Sequence, residues 1–201
     1  MGAYLDTPNT DKSSEHGSNQ LCSWGVSSMQ GWRCGMEDEH IAKEIDLPSG
    51  KKGMLFCVFD GHGGKEVAQY AKERFANILM STEDFKNQKF GEALTDTFLK
   101  LDAEVKQKEY GTDTGSTSCV VFIDEKQIYC ANAGDSRGVL YTGGKVVALS
   151  EDHKPDNKEE LSRIEKANHF VEESRVDGNL ALSRAIGDFQ YKDQANLDAK
   201  L

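Results

Sequence analysis

No stretch of the 201-residue chain is apolar over the ~20 residues a membrane-spanning helix needs, so stable membrane insertion is not expected. The first residues lack the basic and apolar regions of a secretory signal, which points to the cytoplasm or nucleus. Cysteine is sparse and unpatterned: five residues, Cys22, Cys34, Cys57, Cys119 and Cys130, with no Cys-x-x-Cys pair. They read as buried reduced thiols and exclude a disulfide framework or a zinc site. Cationic residues are also short, 24 Lys and Arg against 34 Asp and Glu, for a formal net charge of -10. A nucleic-acid partner is therefore not expected, since phosphate contacts need a cationic face. The acidic balance is compatible with a carboxylate-rich site for hard divalent cations. What is present, 37% hydrophobic and 29% charged residues, suits one soluble domain with a sizeable core.

Residues 1–20 are polar and without periodicity, and are read as a flexible N-terminal arm ahead of a domain over 21–201. Gly2 follows the initiator Met as in N-myristoylation signals, but Asp6 stands where Ser or Thr is wanted; membrane association is expected only if Gly2 is lipidated. Strands are predicted over Leu21–Gln30, His40–Asp46 and Met54–Phe59, the last apolar enough to be buried on both faces. From Lys65 the period becomes helical, with Val67, Ala71, Phe75 and Ile78 on one face; a second helix carries Phe90, Leu94, Phe98, Leu101 and Val105. Gly111–Ser118 reads as a connection, and 119–123 with 127–132 as a hairpin. A further hairpin follows over 138–141 and 145–149. A short helix from about Asn157 is expected to open with an Asp156/Glu159 capping box, and Asp177-Gly178 to turn a last hairpin. Hairpins dominate, so the fold class is α+β, an antiparallel layered protein.

The chemistry gathers where strands end beside glycines. The run Met54–Phe59 leads directly into Asp60-Gly61-His62-Gly63-Gly64. Asp-Gly alone also fits a hairpin turn, but the next segment is helical. Upstream lie Arg33, Glu37 and Asp38 between Gly31 and Gly35 or just beyond, and downstream Asp135 lies between Gly134 and Gly138. Acids without Cys or His at ligand spacing suit Mg2+ or Mn2+. Two such ions can share a carboxylate and activate water for in-line attack on phosphorus. An arginine can fork onto two phosphate oxygens, and a histidine can protonate the departing oxygen.

Met29–Asp38, Phe59–Gly64, Gly134–Gly138 and Ala181–Asp188 resemble, in order, signature motifs of the type 2C metal-dependent (PPM) serine/threonine protein phosphatases. The resemblance implies an antiparallel β-sandwich flanked by helices in α-β-β-α layers, with two metals at one end. It implies that Asp60 bridges them, that the Gly61 carbonyl and Glu37 bind one of them with Asp38 beside it, that Arg33 holds the substrate phosphate and that His62 is the general acid. Asp135 resembles an acid associated with a weaker third metal, and His153–Asn157 with the following helix resembles a flap beside the site. Implied partners are phosphorylated protein substrates, with the chain a monomer. The family pattern continues with two further aspartate motifs that do not follow Lys192, so the sandwich is expected to be incomplete at its C-terminal end. Exposed apolar surface, aggregation and doubtful activity are expected from that. Two rivals are a non-catalytic phosphoprotein-binding module and a two-metal nuclease, the latter disfavoured by the acidic charge.

Overall fold

The computed structural model describes residues 4–192. In chain order its elements are β1 (Tyr4–Ser18), β2 (Ser23–Arg33), β3 (Glu39–Asp46), β4 (Lys52–Phe59), β5 (Gly61–His62), the helices α1 (Glu66–Ser81), α2 (Glu83–Lys86) and α3 (Phe90–Val105), then β6 (Gly115–Ser116), β7 (Ser118–Ile123), β8 (Ile128–Ala133), β9 (Val139–Thr142) and β10 (Lys145–Ala148). The helix α4 (Lys158–Lys166) and the short strands β11 (Val171–Glu172), β12 (Arg175–Val176) and β13 (Ile186–Gly187) follow. Every strand pairing is antiparallel.

The main sheet runs β3-β4-β7-β8. On one face Leu55, Cys57, Phe59, Val120 and Phe122 join Val67, Ala71, Phe75, Leu94 and Leu101 of α1 and α3 in a single core. That packing is what the 3.6-residue stripes of the two helices and the alternation along the strands require. Phe85, Phe90, Phe122 and Tyr129 close one end of it with ring centroids 4.9 to 6.4 Å apart. α2, not anticipated from the pattern, is started by buried Thr82, whose hydroxyl accepts from the Phe85 amide at 3.1 Å.

Three expectations change. Tyr4–Ser18, within the stretch read as an unstructured arm, is a strand laddered to β2. Its side chains are mostly exposed, so no apolar alternation announced it. Backbone hydrogen bonds to β2 supply the order, and Asn19 turns the chain by accepting from the Leu21 and Cys22 amides at 2.9 and 3.1 Å. Second, β4 is not buried on both faces: Phe56 meets Trp24 edge-on at 6.2 Å, while Val58 stays exposed. Third, Gly115–Ser116 is not mere connection but the middle strand of a small sheet, β13-β6-β5. Locally, α4 starts at Asn157 with no side-chain cap in place of the capping box. The last hairpin turns at Glu173-Ser174, both at positive φ, between β11 and β12; Asp177-Gly178 spans only the Val176–Leu180 bridge. Of the five thiols only Cys57 and Cys119 are buried; Cys22 and Cys130 are partly exposed and Cys34 is exposed.

Candidate active site

Asp60 follows directly on β4, where the main sheet hands over to the small one. Its carbonyl accepts from the Thr117 amide at 2.9 Å and its own amide donates to Thr117 Oγ1 at 3.1 Å. Thr117 Oγ1 also lies 2.7 Å from Ser136 Oγ, so one hydroxyl ties the Asp60 backbone to the loop that carries Asp135. Thr117, inside a stretch read as connection, carried no signal by itself.

The loop after β2 brings Glu37 and Asp38 to this strand end. A methyl at Gly61 would stand 2.5 Å from the Glu37 carbonyl oxygen and 3.2 Å from that of Gly64. Only glycine permits that approach. Asp38 is shifted upward from the usual carboxylate range, first by burial, then by the charge of Asp60 and a hydrogen bond shared with it; the Arg33 guanidinium pulls the other way. Arg33, Glu37, Asp38 and Asp60 therefore form one electrostatic neighbourhood. Arg33 itself ends β2 and makes no close ion pair among the described residues.

His62 lies on β5, and its Nε2 is 2.6 Å from Asp188 Oδ2. Asp135 is engaged in an ion pair with Lys154. Next to it, Gly134 N donates to His153 Nδ1 at 3.1 Å and His153 N to the Gly134 carbonyl at 2.9 Å. Burial pushes the His153 ring below its ordinary value. The segment read as a flap is thus stitched to the Asp135 loop, with Asp152 adding a two-point pair to Arg137 at 2.8 and 2.7 Å. Two acids beyond those singled out are buried, Asp188 and Glu160. Asp188 stands beside a glycine, as Asp60 and Asp135 do, although no strand was expected ahead of it; Glu160, on the polar side of a helical pattern, had no signal.

Hard oxygen donors crowded enough to hold each other's protons fit a divalent cation, whose charge relieves their repulsion. The Asp38 carboxyl, whose proton is held by burial and then by the charge of Asp60, is such a donor. Among the described residues no group of three or more His, Cys, Asp or Glu is arranged to hold a metal. No helix among them is long and apolar enough to cross a membrane.

Residues 23–199 match the profile of the family Protein phosphatase 2C. The chain is 46% identical over 210 residues to Probable protein phosphatase 2C 2 of Paramecium tetraurelia, covering 98% of this chain and 69% of that protein. It is 43% identical over 203 residues to Protein phosphatase 2C homolog 2 of Saccharomyces cerevisiae, covering 98% of this chain and 44% of that one. Among solved structures, a phosphatase from Toxoplasma gondii superposes with a TM-score of 0.66 at 26% identity, over 97% of this chain and 69% of its own. A Caenorhabditis elegans sex determining protein superposes with a TM-score of 0.68 at 26% identity, over 90% of this chain and 44% of its own.

Proposed function

The chain belongs to the protein phosphatase 2C family, and on that premise we propose that it hydrolyses phosphoserine and phosphothreonine in proteins with Mg2+ or Mn2+ as cofactor. The observation that carries this reading is the meeting of the Asp38 and Asp60 carboxylates at the end of β4, beside the Arg33 guanidinium. Asp60 and Asp38 would hold the cation, with Glu37 and the Gly61 carbonyl next to them. When bound, such a cation supplies Lewis acidity, lowering the pKa of a water until it can attack phosphorus.

The chain's own residues do the rest. Arg33 presents a planar fork that matches two phosphate oxygens and sets phosphorus in line for attack. His62 donates a proton to the serine or threonine oxygen as the P–O bond breaks, so that an alkoxide need not leave bare. Thr117 keeps the Asp60 backbone in register with the Asp135 loop. Asp135 would hold a further cation only in place of the Lys154 ammonium paired with it, which suits a site of lower affinity.

The test is manganese-dependent release of phosphate from a phosphothreonine peptide by the full-length protein. Asp60→Asn is expected to lower turnover by about 100-fold or more, the scale on which losing a preorganised electrostatic group acts; turnover that survives the substitution counts against the metal mechanism. A second reading, a non-catalytic phosphoprotein-binding module, is favoured by the lack of a three-ligand cluster among the described residues. It predicts phosphopeptide binding that depends on Arg33, without phosphate release.

A further inference from the structure

We propose that Asp188 is the positioning residue for His62, fixing the imidazole so that Nδ1 is the ring nitrogen offered to the departing oxygen. The proposal rests on the reading of His62 as proton donor given above. It starts from the small sheet. In the order β13-β6-β5, His62 and Gly187 are both register partners of Gly115 on the middle strand. Because Gly115 carries no side chain, groups from the two outer strands can meet across it. They do: His62 Nε2 lies 2.6 Å from Oδ2 of Asp188, the residue after Gly187. A methyl at Gly115 would collide with the Asp188 carboxylate and stand 2.6 Å from His62 Nε2.

The acid is held for this contact. Asp188 is 3% exposed, and a buried carboxylate is costly unless it is paired. Among the described residues His62 is its only side-chain partner. Its backbone sits at φ 55, in the left-handed region that Asp and Asn tolerate better than other non-glycine residues. The Asp188 amide donates to the Thr114 carbonyl at 2.9 Å, and its carbonyl accepts from the Tyr191 amide at 3.0 Å. One residue earlier, the Gly187 amide donates to Asp102 Oδ1 of α3 at 2.8 Å. The carboxylate is thus fixed to the core helix, and the ring is fixed to the carboxylate. In the reaction the proton leaves Nδ1 for the serine or threonine oxygen as the P–O bond breaks, and the neutral ring keeps its Nε2–H on Asp188.

The experiment compares two leaving groups in the full-length manganese-loaded protein: a phosphothreonine peptide, whose oxygen must be protonated, and p-nitrophenyl phosphate, whose phenolate leaves without a proton. Asp188→Asn keeps the left-handed backbone and removes the charge; Gly115→Ala separates the pair from the opposite side. Each is expected to lower kcat on the peptide by about 10- to 100-fold with KM unchanged, and p-nitrophenyl phosphate turnover by no more than about twofold. Adding Asp188→Asn to His62→Gln is expected to cause no further loss on the peptide. In the metal-free protein, the downfield Nε2–H proton of His62 is expected in NMR spectra of the wild type and absent in both variants. Equal losses on the two substrates, a loss additive to that of His62→Gln, or an unchanged imidazole proton each overturn the proposal. Asp188→Asn carries the result should Gly115→Ala not fold. Failure of the underlying phosphatase reading looks different: the wild type turns over neither substrate with manganese, and the positioning role falls with it.

Discussion

A carboxyl group partly withdrawn from water beside another carboxylate keeps its proton to higher pH, and Asp38 is in that position. Burial is the larger cause and Asp60 the next. The folded, metal-free protein therefore holds this proton more firmly than the unfolded chain does. The stability linked to it is fully present below the unfolded value of 3.8 and is lost as pH rises through the raised folded value. Asp60→Asn removes the neighbouring charge and leaves the burial. We expect carboxyl-carbon NMR titrations of the metal-free variant to show the Asp38 midpoint moving down, part of the way to its ordinary value. An unmoved midpoint means the two carboxylates are not neighbours in solution. In the sequence, the association of Glu37 and Asp38 with Asp60 came only through the resemblance of their two motifs to the phosphatase family. That Asp188 faces His62 was not legible there, because 126 residues separate them and only the glycine across the sheet makes room.

At the scale of an element, α4 shows how a helix with a mostly polar sequence is docked. Its apolar contribution to the core is Ile164, but Glu160 on the same element is buried too. The Glu160 carboxylate accepts from Arg184 Nε and Nη2 at 2.8 to 3.1 Å and from Arg163 Nη2 at 2.9 Å. Burial alone would raise its pKa, but the hydrogen bonds from Arg184 and Arg163 outweigh it and hold the group down from 4.5 to about 2. With the folded value depressed, the linked stability is complete above 4.5 and disappears as pH falls toward about 2. A shift of this size corresponds to about 3 kcal/mol. Glu160→Gln leaves two half-buried guanidinium groups without their counter-charge and is expected to cost about 3 kcal/mol at neutral pH. Urea unfolding at pH 7 and pH 3 checks both statements: the difference between wild type and variant shrinks on acidification, and a difference independent of pH contradicts this account. Because Arg184 lies four residues before Asp188, the same ion cluster joins the flap helix to the segment that reaches His62.

For the whole molecule, the described chain carries one well-covered sheet face and other apolar surface that nothing in it covers. Val139, Tyr141 and Val146 on β9 and β10 are 59%, 72% and 71% exposed, and Val58 on the outer face of β4 is 49% exposed. Among the described residues β9 and β10 pair only with each other. Apolar strands left open in this way favour edge-to-edge and face-to-face association. The 201-residue chain is therefore expected to self-associate in sedimentation measurements at micromolar concentration, and Tyr141→Lys with Val146→Lys to reduce it. A monomer with a cooperative thermal transition in the unaltered chain contradicts the expectation.

The fold class, the two long helices and the central strands were determined by the sequence alone. Hydrophobic period and glycine placement are local signals that need no knowledge of the partner segment. The strand at Tyr4–Ser18, the burial of Glu160 and the pairing of Asp188 with His62 were decided only by tertiary structure. In each case a polar group is ordered by a hydrogen-bond partner distant in the chain, and nothing in a residue's own neighbourhood records where that partner will stand.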